Sequence, residues 1–243
     1  MMGRCIYLRK GSVHMKPVAE VEVGALAIGS IVNINEGDSL VEFIVVHQGL
    51  PGDTYDSSCN GTWLLRNKCL ATQYKFGSNN NYSASTINTW LNGDYFNTLG
   101  NIEQGAIRSI KIPYWNGTGS SGSAATGANG LSTKIFLLSG SEVGYTVDDK
   151  DRMAIFGEKL SYFYLGTDTT ANKQRKTFSD DRIGANWWLR SPRTGNTGDA
   201  WYIDSNGNAI YSSASVPCHI RPAFVIPSGT LIHKSTRILI EEV

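Results

Sequence analysis

Two short apolar runs, Trp187-Trp188-Leu189-Arg190-Ser191-Pro192 and Ile220-Arg221-Pro222-Ala223-Phe224-Val225-Ile226-Pro227, constrain the fold of this chain more than any other feature. The first reads as a short buried strand in which two indoles supply a large apolar area and Pro192, lacking an N–H, ends the ladder. The second reads as another strand bounded by prolines. Between them lie Asn, Asp, Ser, Thr, Tyr and Gly in turn-rich order. That composition makes adaptable surface rather than core, so function is expected in the stretch that the two anchors bracket.

Upstream, short strands alternate with irregular loops. Residues 28–34 and 40–47 predict a first strand pair around the turn chemistry of Glu36-Gly37-Asp38, and residues 62–65 a further strand. Ser83 offers an N-cap to a helix whose Ile87, Trp90 and Leu91 share one face. Asn92-Gly93 ends or interrupts it, with Asp94 able to cap a continuation through Phe96 and Leu99. Asn101 starts a shorter helix carrying Ile102, Ala106 and Ile107. These apolar faces are expected to be core. Residues 116–130, NGTGSSGSAATGANG, are too poor in apolar side chains to pack and predict a long mobile surface loop. It either borders a binding face or is a tolerated excursion, the second being preferred because ordering such a loop is entropically costly. A strand over 134–138 follows, then Ser139 capping a helical piece at 140–143, and a second polar stretch at 167–182. No boundary or repeat splits the chain, which predicts one domain over residues 23–243 after an N-terminal extension, 1–22, with Met15 an alternative start.

The WWLRSP anchor, the polar stretch and Arg221-Pro222-Ala223 together resemble a bacterial and bacteriophage family of unknown-function domains whose C-terminal signature is WWLRSP, a variable stretch, then GVRPA. The likeness extends to Ile28-Gly29-Ser30-Ile31-Val32, Val41-Glu42-Phe43-Ile44-Val45, Trp90-Leu91-Asn92-Gly93 and Lys134-Ile135-Phe136-Leu137-Leu138-Ser139. His219-Ile220 departs from the usual Gly-Val, which puts the backbone conformation there in question. The resemblance implies an α+β chain of the C-type-lectin-like fold, in the branch that holds formylglycine-generating enzymes. Some members of that fold resemble the variable proteins of diversity-generating retroelements, which display mutable side chains for binding.

Adenine-directed mutagenesis of AAC or AAT codons never produces Lys, Glu, Gln, Met or Trp. Between Arg193 and His219 only Trp201 belongs to that set, where chain-wide composition predicts about four. Any Gly/Ser/Asn-rich loop is poor in those residues, so it is the resemblance that favours variability. The display surface is expected to comprise Arg193, Thr194, Asn196, Asp199, Tyr202, Asp204, Asn206, Asn208, Ile210, Tyr211, Ser213, Ser215 and His219. Tyr202 and Tyr211 would supply rigid amphipathic area, Arg193 would anchor an acidic group, and the short polar side chains would supply adaptable hydrogen bonds. Period-two alternation sends Trp201 and Ile203 to the core and Tyr202 and Asp204 to the binding face. Arg190 and Arg221 are expected in the scaffold, paired with buried carbonyls or carboxylates.

The expected function is therefore noncatalytic binding of a protein or glycan on a host or neighbouring cell surface, from a phage virion or a cell-associated position, with homo-oligomerisation left open. A fixed structural module of a phage tail or fibre is the alternative, and an oxidase of the formylglycine-generating type, requiring a reactive Cys218, the third. The net charge of +1, with basic residues dispersed, argues against nucleic acid. No run is long and apolar enough to span a bilayer, and the N-terminus lacks a signal-peptide h-region. Cys5, Cys59, Cys69 and Cys218 read as free thiols, with a Cys59–Cys69 bridge across a hairpin as the other option. His14, His47, His219 and His233 are scattered, and Lys150 breaks the Asp148-Asp149-Lys150-Asp151 run, so no metal ligand, cofactor or catalytic residue is expected. Asp180-Asp181 with Arg182 reads as a helix start or salt-bridged loop.

Overall fold

A computed structural model describes residues 19–181 and 183–241; the expectations for Cys5, His14, the Met15 start and Arg182 lie outside them. The strands, in chain order, are β1 (Glu20–Glu22), β2 (Ile31–Glu36), β3 (Ser39–Gly49), β4 (Gly61–Arg66), β5 (Gln73–Lys75), β6 (Ile110–Ile112), β7 (Tyr114–Asn116), β8 (Ser123–Ala125), β9 (Leu131–Thr133), β10 (Ile135–Phe136), β11 (Trp187–Pro192), β12 (Asp199–Ile203), β13 (Ala209–Ser213), β14 (Pro217–His219), β15 (Ala223–Ile226) and β16 (Leu231–His233). Helices α1 (Thr86–Trp90), α2 (Asn101–Ala106) and α3 (Thr169–Arg175) are short. The architecture is α+β, mostly strands in open sheets.

Two five-stranded sheets dominate, in the orders β10-β15-β4-β3-β2 and β13-β12-β11-β14-β5. Alternation along their strands feeds two apolar clusters rather than a core and a wet face. Phe43, Val45, Leu64 and Trp188 enter one cluster with Tyr82, Ile87 and Leu91. Ile44, Val46, Trp63, Leu65, Trp187 and Leu189 enter the other, with Tyr55, Ile112 and Tyr145. A strand buried on both faces reads as a continuous apolar run, which is why β3 and β4 carry FIVV and WLL. Each fully buried large side chain of this kind contributes about 1.5–3 kcal/mol.

Several local expectations are corrected by the partners that the folded chain supplies. Ser85, not Ser83, caps α1, its Oγ accepting from the Asn88 N–H at 3.1 Å, while Tyr82–Ala84 forms a separate 3-10 turn. Asn92-Gly93 interrupts the helix, one of the two expected alternatives, since α1 stops at Trp90. The pair lies in a π turn, Leu91–Tyr95, which also contains Asp94 and leads into the 3-10 turn Phe96–Thr98, a turn that no side chain caps. The Asn92 amide is the reason, donating to the Ile135 carbonyl at 2.9 Å and accepting from the Lys134 N–H at 2.8 Å, so it ties the distorted turn to β10.

The stretch 116–130 is not an irregular loop. It contains the end of β7, all of β8, which pairs with β7, and a 3-10 turn at Gly127–Asn129. Its few side chains are replaced as partners by backbone groups of the chain around it. Ser139 and Glu142 form a reciprocal capping box, Ser139 N–H to Glu142 Oε2 and Glu142 N–H to Ser139 Oγ, but only a single turn follows. Residues Glu20–Glu22, from the expected extension, pair antiparallel with β16. His219, in place of glycine, lies in extended backbone pairing with Trp187 on one side and Gln73 on the other, so no left-handed conformation is needed there.

Candidate binding surface

The anchor β11 does more than fill the core. Trp188 faces Tyr202 and Pro192 faces Ala200, so Leu189, Arg190 and Ser191 together oppose Trp201 alone. This three-residue bulge turns the backbone away from β12, and the Arg190 N–H bonds instead to the Leu138 carbonyl at 2.9 Å. The Arg190 guanidinium thereby reaches Glu142, with both side chains wholly buried. Burial alone would lower the Arg190 pKa, but the Glu142 carboxylate outweighs it and holds the group firmly protonated. Arg190 also donates to the carbonyls of Leu137 and Pro113, and Glu142 accepts from Tyr55 OH and the Ser139 N–H. Every polar atom of the pair is satisfied, as a buried charge requires. Arg221 is likewise scaffold, donating to the carbonyls of Arg66 and Asn67.

Beyond the bulge, β12 and β13 form a hairpin at the edge of the second sheet. The expected display residues divide into groups along it. Ile210 and Tyr211 are exposed at 41 % and 43 %, although the pleat sends them to opposite faces. Val216, which the sequence reading did not single out, is 47 % exposed just beyond them. Asn206 at the hairpin tip and Ser215 after β13 are also exposed.

The remaining display candidates make hydrogen bonds within the protein, although Arg193, Thr194 and Asn196 also line an open cleft with Arg152. Arg193 pairs with Asp199 at 2.9 Å and lies over the Tyr211 ring at 4.1 Å, so its charge is answered internally rather than held open for an acidic group. Tyr202 does fall opposite Trp201, but that face is also covered: its ring meets Trp188 edge-on at 5.8 Å. Asn196 Oδ1 accepts from the Gly198 and Asp199 N–H groups, and Asp204 Oδ1 from those of Asn206 and Asn208, two Asx-type turns. Asn208 Oδ1 accepts from the Asn172 amide, and Ser213 meets Ser215. His219 is held at both ring nitrogens, by the Leu70 carbonyl at 2.8 Å and the Gln73 amide at 3.1 Å. Thr194 is half-buried, its N–H bonded to the Arg152 carbonyl.

Asn80 was not legible as functional, yet it organises this edge. Wholly buried, it donates through Nδ2 to the carbonyls of Asn196 at 2.8 Å and Asp199 at 2.7 Å, and through Oδ1 accepts from the Gly119 N–H at 3.0 Å. Gly119, at the tip of the β7–β8 hairpin, accepts from the Gly195 N–H, and a Cβ there would fall 1.9 Å from the Arg193 carbonyl oxygen. Of the two alternatives for this stretch, the hairpin thus takes the less favoured one, bordering the candidate surface, and leaves no room for any other residue at 119.

Cys59, Cys69 and Cys218 are buried free thiols, so Cys59 and Cys69 are not bridged. Burial pushes the Cys59 and Cys69 thiols up to about 12 and raises Cys218 further still. Asp149 accepts from the N–H and hydroxyl of Thr146, a turn role, and among the described residues no three His, Cys, Asp or Glu side chains cluster as a metal ion would need. Among the same residues no helix is long and apolar enough to cross a membrane.

Comparison with curated proteins and with solved structures gave no match. A family profile described as a domain of unknown function, DUF6273, matches residues 60–228, from β4 through β15. That span holds both anchors, the Arg190–Glu142 pair, Asn80 and the whole candidate surface, and the chain belongs to the DUF6273 family.

Proposed function

We propose that this protein is a noncatalytic ligand- or receptor-binding protein that displays a mutable edge on a C-type-lectin-like scaffold, in the manner of retroelement-diversified variable proteins. Its partner is a protein or glycan on a cell surface, met from a phage virion or a cell-associated position. The observation that carries the reading is the exposure of Ile210, Tyr211 and Val216 beside Asn206 and Ser215, on an edge hairpin whose frame is held from beneath by Asn80 and the Arg190–Glu142 pair. Rigid aromatic area among short polar side chains is how paratopes bind at low entropic cost. The internal bonds of Asp204 and Asn208 leave the hairpin tip, β13, the turn after it and the cleft beside Arg193, Thr194 and Asn196 as the contact set. A Cys218-centred oxidase is disfavoured because a buried, strongly protonated thiol is a poor nucleophile.

The test is the encoding locus. A near-identical downstream copy of the codons for residues 186–224, differing only at adenines and lying beside a reverse transcriptase, is the expected finding, with substitutions concentrated at 206, 210, 211, 215 and 216. A locus with no such copy refutes diversification and leaves a fixed module of a tail or fibre.

A further inference from the structure

Away from that edge, a cleft of about 350 Å³ opens between the β2–β3 turn, the residues before β5 and the helical segment. Three aromatic rings line it in a row: Tyr74 and Trp90 have centroids 4.3 Å apart, Trp90 and Tyr95 5.3 Å. Two carboxylates, Glu36 and Asp180, line it as well, and both bind the same guanidinium. Arg66 donates to Glu36 through Nε and Nη2 and to Asp180 through Nη1 and Nη2, all at 3.0 Å. Arg66 is buried behind the wall, whereas the Asp180 side chain is 40 % exposed. Tyr95 OH donates to Glu36 at 2.8 Å, which fixes the deeper carboxylate and adds no charge.

The charge count is the informative part. Two carboxylates against one guanidinium leave a formal negative charge in the cluster, nearest solvent at the partly exposed Asp180, beside the half-buried rings of Tyr74 and Trp90. Such a combination repels anions and favours a cation whose charge is spread over an apolar envelope. We propose that this cleft is a binding site for a small alkylammonium ligand, with Trp90 and Tyr74 contacting its methyl or methylene groups and Asp180 its charge. The volume suits a small molecule. The site shares no residue with the display edge and stands or falls separately from it.

The full-length protein titrated with choline tests this, read by calorimetry and by tryptophan fluorescence. Saturable binding is expected, with 3,3-dimethylbutan-1-ol, the uncharged analogue of the same shape, failing to compete. Asp180→Asn, which keeps the Arg66–Glu36 pair, should weaken choline at least about tenfold, as loss of about 1.4 kcal/mol would. Trp90→Phe should weaken it by a smaller factor, since indole is the stronger cation acceptor. Ile210→Ser should leave it unchanged. Absence of saturable binding, equal binding of the uncharged analogue, or unaltered affinity in a folded Asp180→Asn variant would overturn the proposal.

Discussion

Replacing Asn80 by alanine should loosen the display edge without disturbing either sheet. The side chain makes three hydrogen bonds, all to backbone, to partners 39, 116 and 119 residues away in sequence. At a net value of about 1 kcal/mol each, their loss costs about 3 kcal/mol, and more where the abandoned carbonyls stay out of reach of water. Asn80→Asp keeps the acceptor for Gly119 but turns the donor side into a carboxylate facing two carbonyls, so it should lose at least as much. Urea unfolding measures the difference, and an unchanged m-value would show that the denatured state is the same. Hydrogen exchange supplies the local readout, because the Gly119 N–H bonds directly to Asn80 and should lose protection before amides of β4 or β11. As a control, Asn206→Ala at the exposed hairpin tip should stay within about 0.5 kcal/mol. An Asn80→Ala protein within that same margin, or one whose Gly119 amide stays protected, would refute the claim that this residue organises the edge.

Glu142→Gln should cost about 3–5 kcal/mol by leaving the Arg190 guanidinium buried without its counter-charge, measured by the same unfolding experiment. Native protein at pH 8 should resist iodoacetamide at Cys59, Cys69 and Cys218, with all three modified in urea, as residue-resolved mass spectrometry would show. Burial depresses the His47 pKa, and its Nδ1 accepts from the Ser161 N–H, so the folded state takes up a proton less readily than the unfolded chain. Its stability contribution should be complete above about pH 6.5 and be lost as pH falls through the lower folded-state pKa, which an NMR titration of the imidazole would locate.

What could be read from the sequence was what local pattern determines. The WWLRSP run needed only its own side chains to announce a buried strand, and Arg190 and Arg221 inside apolar runs announced internal partners. The misreadings fall where residue type leaves the local choice open or a distant group decides. Ser83 and Ser85 are both plausible caps by residue type, and the choice rests on the 3-10 turn at Tyr82–Ala84. The 116–130 stretch looks unpackable until Asn80 and the Arg193 backbone are brought against Gly119. Alternation sent Tyr202 to the correct side of β12, but could not reveal that Trp188 covers that side too. Asn80 itself carries no local signature, since the middle of the run Asn79-Asn80-Asn81 looks like a turn.

The placement of β15 has a consequence for how the molecule is made. It lies between β4 and β10 in the first sheet, and its Ile226 pairs with Thr62. During synthesis β4, with Trp63, Leu64 and Leu65, therefore waits with one edge open until almost the whole chain has been made. Non-local pairing of this kind folds slowly, and an open apolar edge invites pairing with other chains. A ribosome that stops short of Ala223 should thus release an aggregating fragment rather than a smaller working protein, however complete its display hairpin.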